Sequence, residues 1–291
     1  MAKIRLAGND LWRYKQRVVL TVLLFTLVLN AGCGVMNATY QTAEDIAVAA
    51  DFDATIVLGE LFEHRVYESH LSTLQDTLKI YIEGDGLPWF RGRMPSTDPT
   101  PRVPLALRLM AQDPTAAIYI GRPCYFGLHQ SANCSPKMWT SARYSAAVIA
   151  SMNRVVRHYQ KKYGARQVVL MGYSGGGAVA TLMARDISPP VFLLTLAANL
   201  DTDTWTQTKA YLPLHESLNP VNFVAQLQGV GQLHLIAEDD TTVLPAVTQR
   251  YTSQFPAHFS RQYPGFDHSC CWLELWPKIL RQEPWYKLGH P

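Results

Sequence analysis

The stretch Gly172-Tyr173-Ser174-Gly175-Gly176 constrains this chain more than any other. Before it, Gln167-Val168-Val169-Leu170-Met171 is a short apolar run that reads as a buried parallel strand. After it, residues 177–184 are small or helix-favouring. G-x-S-x-G between a strand and a helix builds a strained elbow that presents the serine hydroxyl at the carboxyl edge of a sheet. The glycines two places either side of Ser174 let the two backbones approach closely.

Around the elbow, strand and helix patterns alternate. Thr55–Leu58 and Arg65–Tyr67 read as an antiparallel edge, and Leu78–Ile82, Ala117–Ile120, Val191–Ala197 and Leu233–Ala237 as further strands. Helical spacing runs over Leu105–Gln112, over Ser141–Tyr163 up to Gly164, and around Trp272–Leu280. Residues 91–104 read as a Pro- and Arg-rich loop, and Ala257–Ser260 as a terminal strand. This alternation implies an α/β fold, a mostly parallel central sheet with helices on both faces. Ligands of such sheets bind outside the carboxyl ends of the strands, so the loops after residues 82, 120, 171, 197 and 237 should meet at the site.

The amino terminus is of another kind. Lys3, Arg5, Arg13, Lys15 and Arg17 precede a twelve-residue, mostly apolar run from Val18 to Leu29, followed by Asn30-Ala31-Gly32-Cys33. A spanning helix needs about 20 apolar residues, so the pattern reads as a secretory signal over residues 1–32. The small-small-Cys ending resembles a bacterial lipobox, which implies a lipidated Cys33, a tether over 33–50 and a globular domain over 51–291. The expected location is the cell envelope, as a periplasm-facing lipoprotein, with Gly34 after the cysteine implying the outer membrane. The signal holds five of the 26 basic groups and one of the 23 acidic ones. Residues 33–291 carry the other 21 and 22, a net charge of −1, which gives nucleic acid no footing as a partner.

An oxidising compartment makes Cys124, Cys134, Cys270 and Cys271 disulfide candidates, with three connectivities open. Cys124 and Cys134 bound a short loop and read as a pair; Cys270 and Cys271 read as a vicinal disulfide, two thiols, or partners of the first two. No C-x-x-C spacing supports a metal site, and no cofactor motif is seen.

With these elements in place, the chain resembles the α/β-hydrolase superfamily over about residues 54–282, where Ser, Asp or Glu, and His follow in that chain order. The resemblance implies serine chemistry, with Ser174 as nucleophile. Ala237-Glu238-Asp239-Asp240-Thr241-Thr242-Val243-Leu244-Pro245 resembles the family's G-x-x-D-x-x-V-P segment, which selects Asp240 as the acid and leaves Asp239 as its rival. Among the histidines after it, His268 in Gly265-Phe266-Asp267-His268 sits in a turn before a helix, as the family's base does; His258 and His290 are less well placed. The resemblance also implies an oxyanion hole of backbone amides from Gly175 and from Asp85 with Gly86. Their segment, Glu83-Gly84-Asp85-Gly86, resembles H-G-x-G with Glu in the His place, and the Asp85 carboxylate would oppose an oxyanion unless it points away.

Leu87, Trp89, Tyr173 and Trp205 are expected in the pocket walls, Trp205 within a modest cap between Asn199 and Gly231. Arg122, Tyr125, Phe126 and Trp139 are expected to pack around a cystine loop. The cap is polar and aromatic, which argues against a long-chain triglyceride lipase. The implied function is cleavage of a small-molecule or lipid carboxylic ester through an acyl-enzyme, at a membrane reached by the lipid anchor. A peptidase or thioesterase would use the same residues. A lipid-anchored binding protein that keeps the fold without turnover is the reading of another class, resting on Glu83 and the acidic loop.

Overall fold

Short apolar and β-branched runs pair into one twisted layer in the computed structural model, which describes residues 42–69, 76–187 and 191–282. In chain order the strands are β1 (Asp53–Leu58), β2 (Glu63–Glu68), β3 (Thr77–Ile82), a small ribbon of β4 (Trp89–Phe90) and β5 (Met94–Pro95), then β6 (Ala117–Ile120), β7 (Gln167–Tyr173), β8 (Val191–Leu196), β9 (Gly231–Ala237) and β10 (Ser260–Tyr263). All but the ribbon join a sheet of order β1-β2-β6-β3-β7-β8-β9-β10. β2 runs antiparallel to both β1 and β6, and the other pairings of the sheet are parallel.

Parallel neighbours need crossovers, and helices supply them on both faces of the sheet. α1 (Ala43–Ala49) precedes the sheet, α2 (Leu105–Met110) links β3 to β6, α3 (Ala146–Tyr163) links β6 to β7, and α4 (Gly175–Ala184) links β7 to β8. α5 (Thr202–Thr208), α6 (Pro245–Thr252) and α7 (Trp272–Gln282) complete the set. Covered on both sides, β6 is buried along its whole length and β7 at every position but its two ends. That burial is why these strands read as continuous apolar runs instead of alternating ones. At the far edge, the Tyr159, Lys162 and Tyr163 side chains of α3 donate to the Glu68 carboxylate and fasten the helix to β2.

The register of β3 on β7 positions the site. Ile82 lies opposite Gly172, so the chain leaves both strands at the same height, and residues 83–86 run beside the elbow.

Four local expectations give way. Residues 42–50, read as the end of a tether, form α1 and its cap instead. Thr42 and Asp45 make a reciprocal capping box, and Ala43, Ile46 and Ala47 bury at helical spacing in the core. The helix expected from Ser141 starts at Ala146, because Ser145 turns its side chain to cap the Val148 amide. Residues 257–259 are a 3₁₀ turn, and the last strand begins only at Ser260, where pairing with His234 of β9 becomes possible. The loop expected over 91–104 contains half of the small ribbon, with Phe90 facing Met94. The signal segment, Cys33 and the first part of the tether lie outside the described residues.

Backbones meet closely at the elbow. A Cβ on Gly176 would stand 2.4 Å from the carbonyl oxygens of both Ile82 and Glu83, so any side chain there forces α4 away from β3. Gly176→Ala should therefore lower the unfolding free energy by about 1–3 kcal/mol in urea titrations. Gly229→Ala, whose Cβ would meet nothing within 4 Å, serves as the neutral reference.

Candidate active site

Ser174 sits between β7 and α4 with φ 53° and ψ −122°, a backbone state that non-glycine residues adopt rarely. Three hydrogen bonds hold it there: its amide donates to Leu196 O at 2.9 Å, and its carbonyl accepts from the Gly177 and Asn199 amides at 3.0 and 3.3 Å. The strain is thus carried by the surrounding sheet, and the hydroxyl is turned toward a cleft.

His268 reaches that hydroxyl from the loop after β10. Its Nδ1–H donates to Asp240 Oδ2 at 2.7 Å, which leaves Nε2 to accept from Ser174 Oγ at 2.9 Å. The second Asp240 oxygen accepts from the Thr242 and Val243 amides at 2.7 and 2.9 Å, fixing the carboxylate in the turn after β9. Asp240 is buried, whereas Glu238 and Asp239 do not share its position: Asp239 faces solvent, and Glu238 closes the end of β9 with its amide on Tyr263 O at 3.2 Å. The Trp272 indole donates to His268 O at 3.1 Å, and the Tyr173 ring lies 5.1 Å from the imidazole. A hydroxyl bonded to a neutral imidazole, itself bonded to a buried carboxylate, can lose its proton to that imidazole during attack on an electrophile.

The loop after β3 runs against the elbow: a Cβ on Gly84 would lie 3.2 Å from the Ser174 Cβ. The Gly84 amide is taken by Glu83 Oε1 at 3.1 Å and the Leu87 amide by Pro99 O at 2.8 Å. The amides of Asp85 and Gly86 make no such bond among the described residues, and α4 begins with Gly175 beside them.

The two acids of this loop have separate fates. Glu83, where the resembling motif carries His, is buried and accepts from the Ala106 amide at 3.0 Å, bracing the first turn of α2. Burial pushes its carboxyl up to about 7, with the Gly84 and Ala106 amides opposing the rise. Asp85 lays its carboxylate against the elbow, where a Cβ on Gly175 would stand 2.0 Å from Oδ1. There it accepts from Arg122 at 2.5 Å, Arg143 at 2.7 Å, and the Tyr144 hydroxyl at 2.8 and 2.9 Å. Burial alone would raise its carboxyl, but the Arg143 and Arg122 guanidiniums outweigh it and hold the group down to about 2. The Tyr125 hydroxyl donates to Asp85 O at 2.9 Å, fixing the peptide as well.

Sequence reasoning missed this clamp. The expectation for Arg122 and Tyr125 is packing alone, and no motif marks Arg143 or Tyr144. The available signal was charge: an acidic loop after one strand, and arginines after the neighbouring one and before the next helix. Phe126 and Trp139 are buried as expected, Trp139 with its indole on Ser96 O. The cystine loop is present, with Cys124 bonded to Cys134 at a Cα separation of 5.5 Å, and Cys270 is bonded to Cys271. The cleft at Ser174 and His268 has a volume of about 1000 Å³, and Leu87, Trp89, Tyr173 and Trp205 all line it. Trp205 is held by its indole on Thr242 O at 2.9 Å. No cluster of three His, Cys, Asp or Glu side chains able to hold a metal occurs among the described residues.

No protein-family model matches the sequence, and no curated protein does. Solved structures match the backbone. A puromycin hydrolase aligns with a TM-score of 0.58 at 14% identity, over 79% of this chain and 38% of that one. An esterase from Pyrococcus furiosus aligns with a TM-score of 0.57 at 12% identity, over 84% and 91%. The fold is that of the α/β hydrolases. Est1E from Butyrivibrio proteoclasticus shares it, with a TM-score of 0.55 at 13% identity, over 81% of this chain and 97% of its own. The chain spans little more than a third of the puromycin hydrolase, and at these identities the likeness is one of fold. Within an α/β-hydrolase fold, Ser174, Asp240 and His268 lie at the carboxyl edge of the sheet, as ligand-binding residues of such sheets do.

The buried Glu83 has a pH signature. Its carboxyl titrates near 7 when folded against 4.5 when free, so the folded state holds the proton more tightly. Its contribution to stability is then fully present below pH 4.5 and is lost as pH rises through 7. Denaturant titrations should show that loss, and Glu83→Gln should flatten this limb of the profile.

Proposed function

We propose that the chain is a serine hydrolase that cleaves carboxylic esters through an acyl-enzyme. The observation that carries this reading is the continuous pair of hydrogen bonds, 2.9 Å from Ser174 Oγ to His268 Nε2 and 2.7 Å from Nδ1 to Asp240. Ser174 Oγ attacks the ester carbonyl as Nε2 takes its proton, and Asp240 stabilises the imidazolium that forms. The carbonyl oxygen becomes an oxyanion, received by the amides of Gly175 and of Asp85 with Gly86. The intermediate collapses, the C–O bond to the alcohol breaks, and the alkoxide leaves with the proton from Nε2. Water then attacks the acyl-enzyme with Nε2 as base, releasing the acid and restoring the Ser174 hydroxyl.

The objection that Asp85 would repel an oxyanion loses its force. Two guanidiniums on one carboxylate leave the clamp with a net positive charge beside the amides, which favours negative charge on the substrate.

Ser174→Ala should abolish labelling by a fluorophosphonate and lower p-nitrophenyl ester turnover by about 10⁴-fold or more. A variant labelled as strongly as wild type sinks the assignment. Higher kcat/KM on aminoacyl anilides or thioesters than on oxygen esters would move the activity to those substrates. Absence of both labelling and turnover in oxidised wild type would favour the binding protein.

We propose further that the chain is exported and anchored by a lipid on Cys33, facing the periplasm from the outer membrane. The basic segment, the apolar run and the Ala31-Gly32-Cys33 ending support this. Radiolabelled palmitate should enter the wild-type protein in a bacterial host and not Cys33→Ala; equal incorporation would remove the anchor.

A further inference from the structure

Two arginines line the cleft without serving the fold. Arg93 lies in the turn of the β4–β5 ribbon, its amide on Phe90 O at 3.2 Å, and Arg102 lies just before α2. Both are exposed, and among the described residues neither guanidinium has an ion pair or a hydrogen bond. Arg102 is close to the reacting end of the cleft. The preceding Pro101 packs on Gly86, with its Cδ 3.0 Å from where a Cβ would stand, and Pro99 O holds the Leu87 amide.

No described acid lining the cleft balances them. Of the described carboxylates, only Glu83 and Asp85 line it, and both are engaged. Asp85 is enclosed by Arg122, Arg143 and Tyr144, and Glu83 is buried against the Gly84 and Ala106 amides. Beside the exposed His215 and Thr242, the wall presents apolar side chains to solvent: Leu87 is 40%, Val103 40%, Tyr211 50% and Leu212 71% exposed. Exposed apolar side chains gathered at one cleft mark a binding surface, and low-dielectric walls strengthen the field of nearby charges. Guanidinium forks match carboxylate and phosphate oxygens in two-point hydrogen bonds.

We propose that the cleft is built for an ester that also carries an anionic group, a carboxylate or a phosphate, held by Arg93 and Arg102. This rests on the serine-hydrolase reading of the same site and names its substrate class. The hydrocarbon part of the ligand lies along Leu87, Val103, Tyr211 and Leu212, and the ester carbonyl reaches Ser174. The anion is carried by a soluble ester or by the headgroup of an acidic lipid, and the chemistry the arginines recognise is the same.

The test separates binding from turnover. Full-length Ser174→Ala protein is titrated calorimetrically with monohexyl succinate and with uncharged hexyl butyrate. The anion should bind about tenfold more tightly at low ionic strength, and the advantage should shrink as salt screens the arginines. An Arg93→Gln, Arg102→Gln double variant should lose the preference, and the matching Lys pair should keep part of it. Equal affinity for the two ligands, or a preference that survives the Gln pair, overturns the proposal.

Wild-type turnover of the same two esters reports on the hydrolase reading separately. If neither is hydrolysed while Ser174→Ala still prefers the anion, that reading fails and the anion site stands. Vesicles identify the source. Fatty acid released from phosphatidylglycerol and not from phosphatidylcholine assigns the anion to a lipid headgroup. Hydrolysis of monohexyl succinate alone assigns it to a soluble ester. Either result supports the arginine site.

Discussion

The contact on which the rest of the structure depends is between two backbones, where the first turn of α4 presses on the carboxyl end of β3. At Gly176 that approach leaves no room for a methyl group between the helix and the carbonyls of Ile82 and Glu83. Because Ile82 and Gly172 are opposite one another in the sheet, the same contact puts the loop of Gly84, Asp85 and Gly86 alongside Ser174. Sheet register, a strained serine and a run of amides are in this way one arrangement.

Charge is organised around that contact by depth. The Asp85 carboxylate, pressed against the Cα of Gly175, would be costly to bury alone, and two guanidiniums with the Tyr144 hydroxyl make it tolerable. The cost falls on residues far apart in the chain, since Arg122 and Arg143 come from the loops on either side of the cystine segment. Its result is a loop whose peptide is fixed from below. Glu83 takes the other half of the task by fastening the same loop to α2. His268 and Asp240, by contrast, approach from above on turns, each anchored by its own amide or indole contacts.

How far the sequence can be read depends on the range of each interaction. Strands buried on both faces announce themselves as apolar runs, and β3, β6, β7, β8 and β9 were visible for that reason. The elbow was legible because its chemistry is local: a strand, five residues and a helix. The acid segment could be found and not resolved, since Glu238, Asp239 and Asp240 are adjacent, and only the turn decides which one is buried against the Thr242 and Val243 amides. The Asp85 clamp was hidden, because nothing in a linear pattern pairs a carboxylate with arginines 37 and 58 residues later. The helix over Ala43–Ala49 was legible in principle, as Thr42 and Asp45 have the spacing of a capping box, but seven residues behind a signal-like segment are easily read as its tether.

Much of the cleft wall comes from a different part of the architecture than the groups it encloses. Leu87, Trp89, Arg93, Arg102 and Tyr211 stand on a two-stranded ribbon and on connecting segments that contribute nothing to the pairing of the main sheet. Replacing them alters what is admitted while leaving the elbow and its neighbours undisturbed. Such a division lets selection, or a protein engineer, diversify ligand choice by small steps at little risk to foldability.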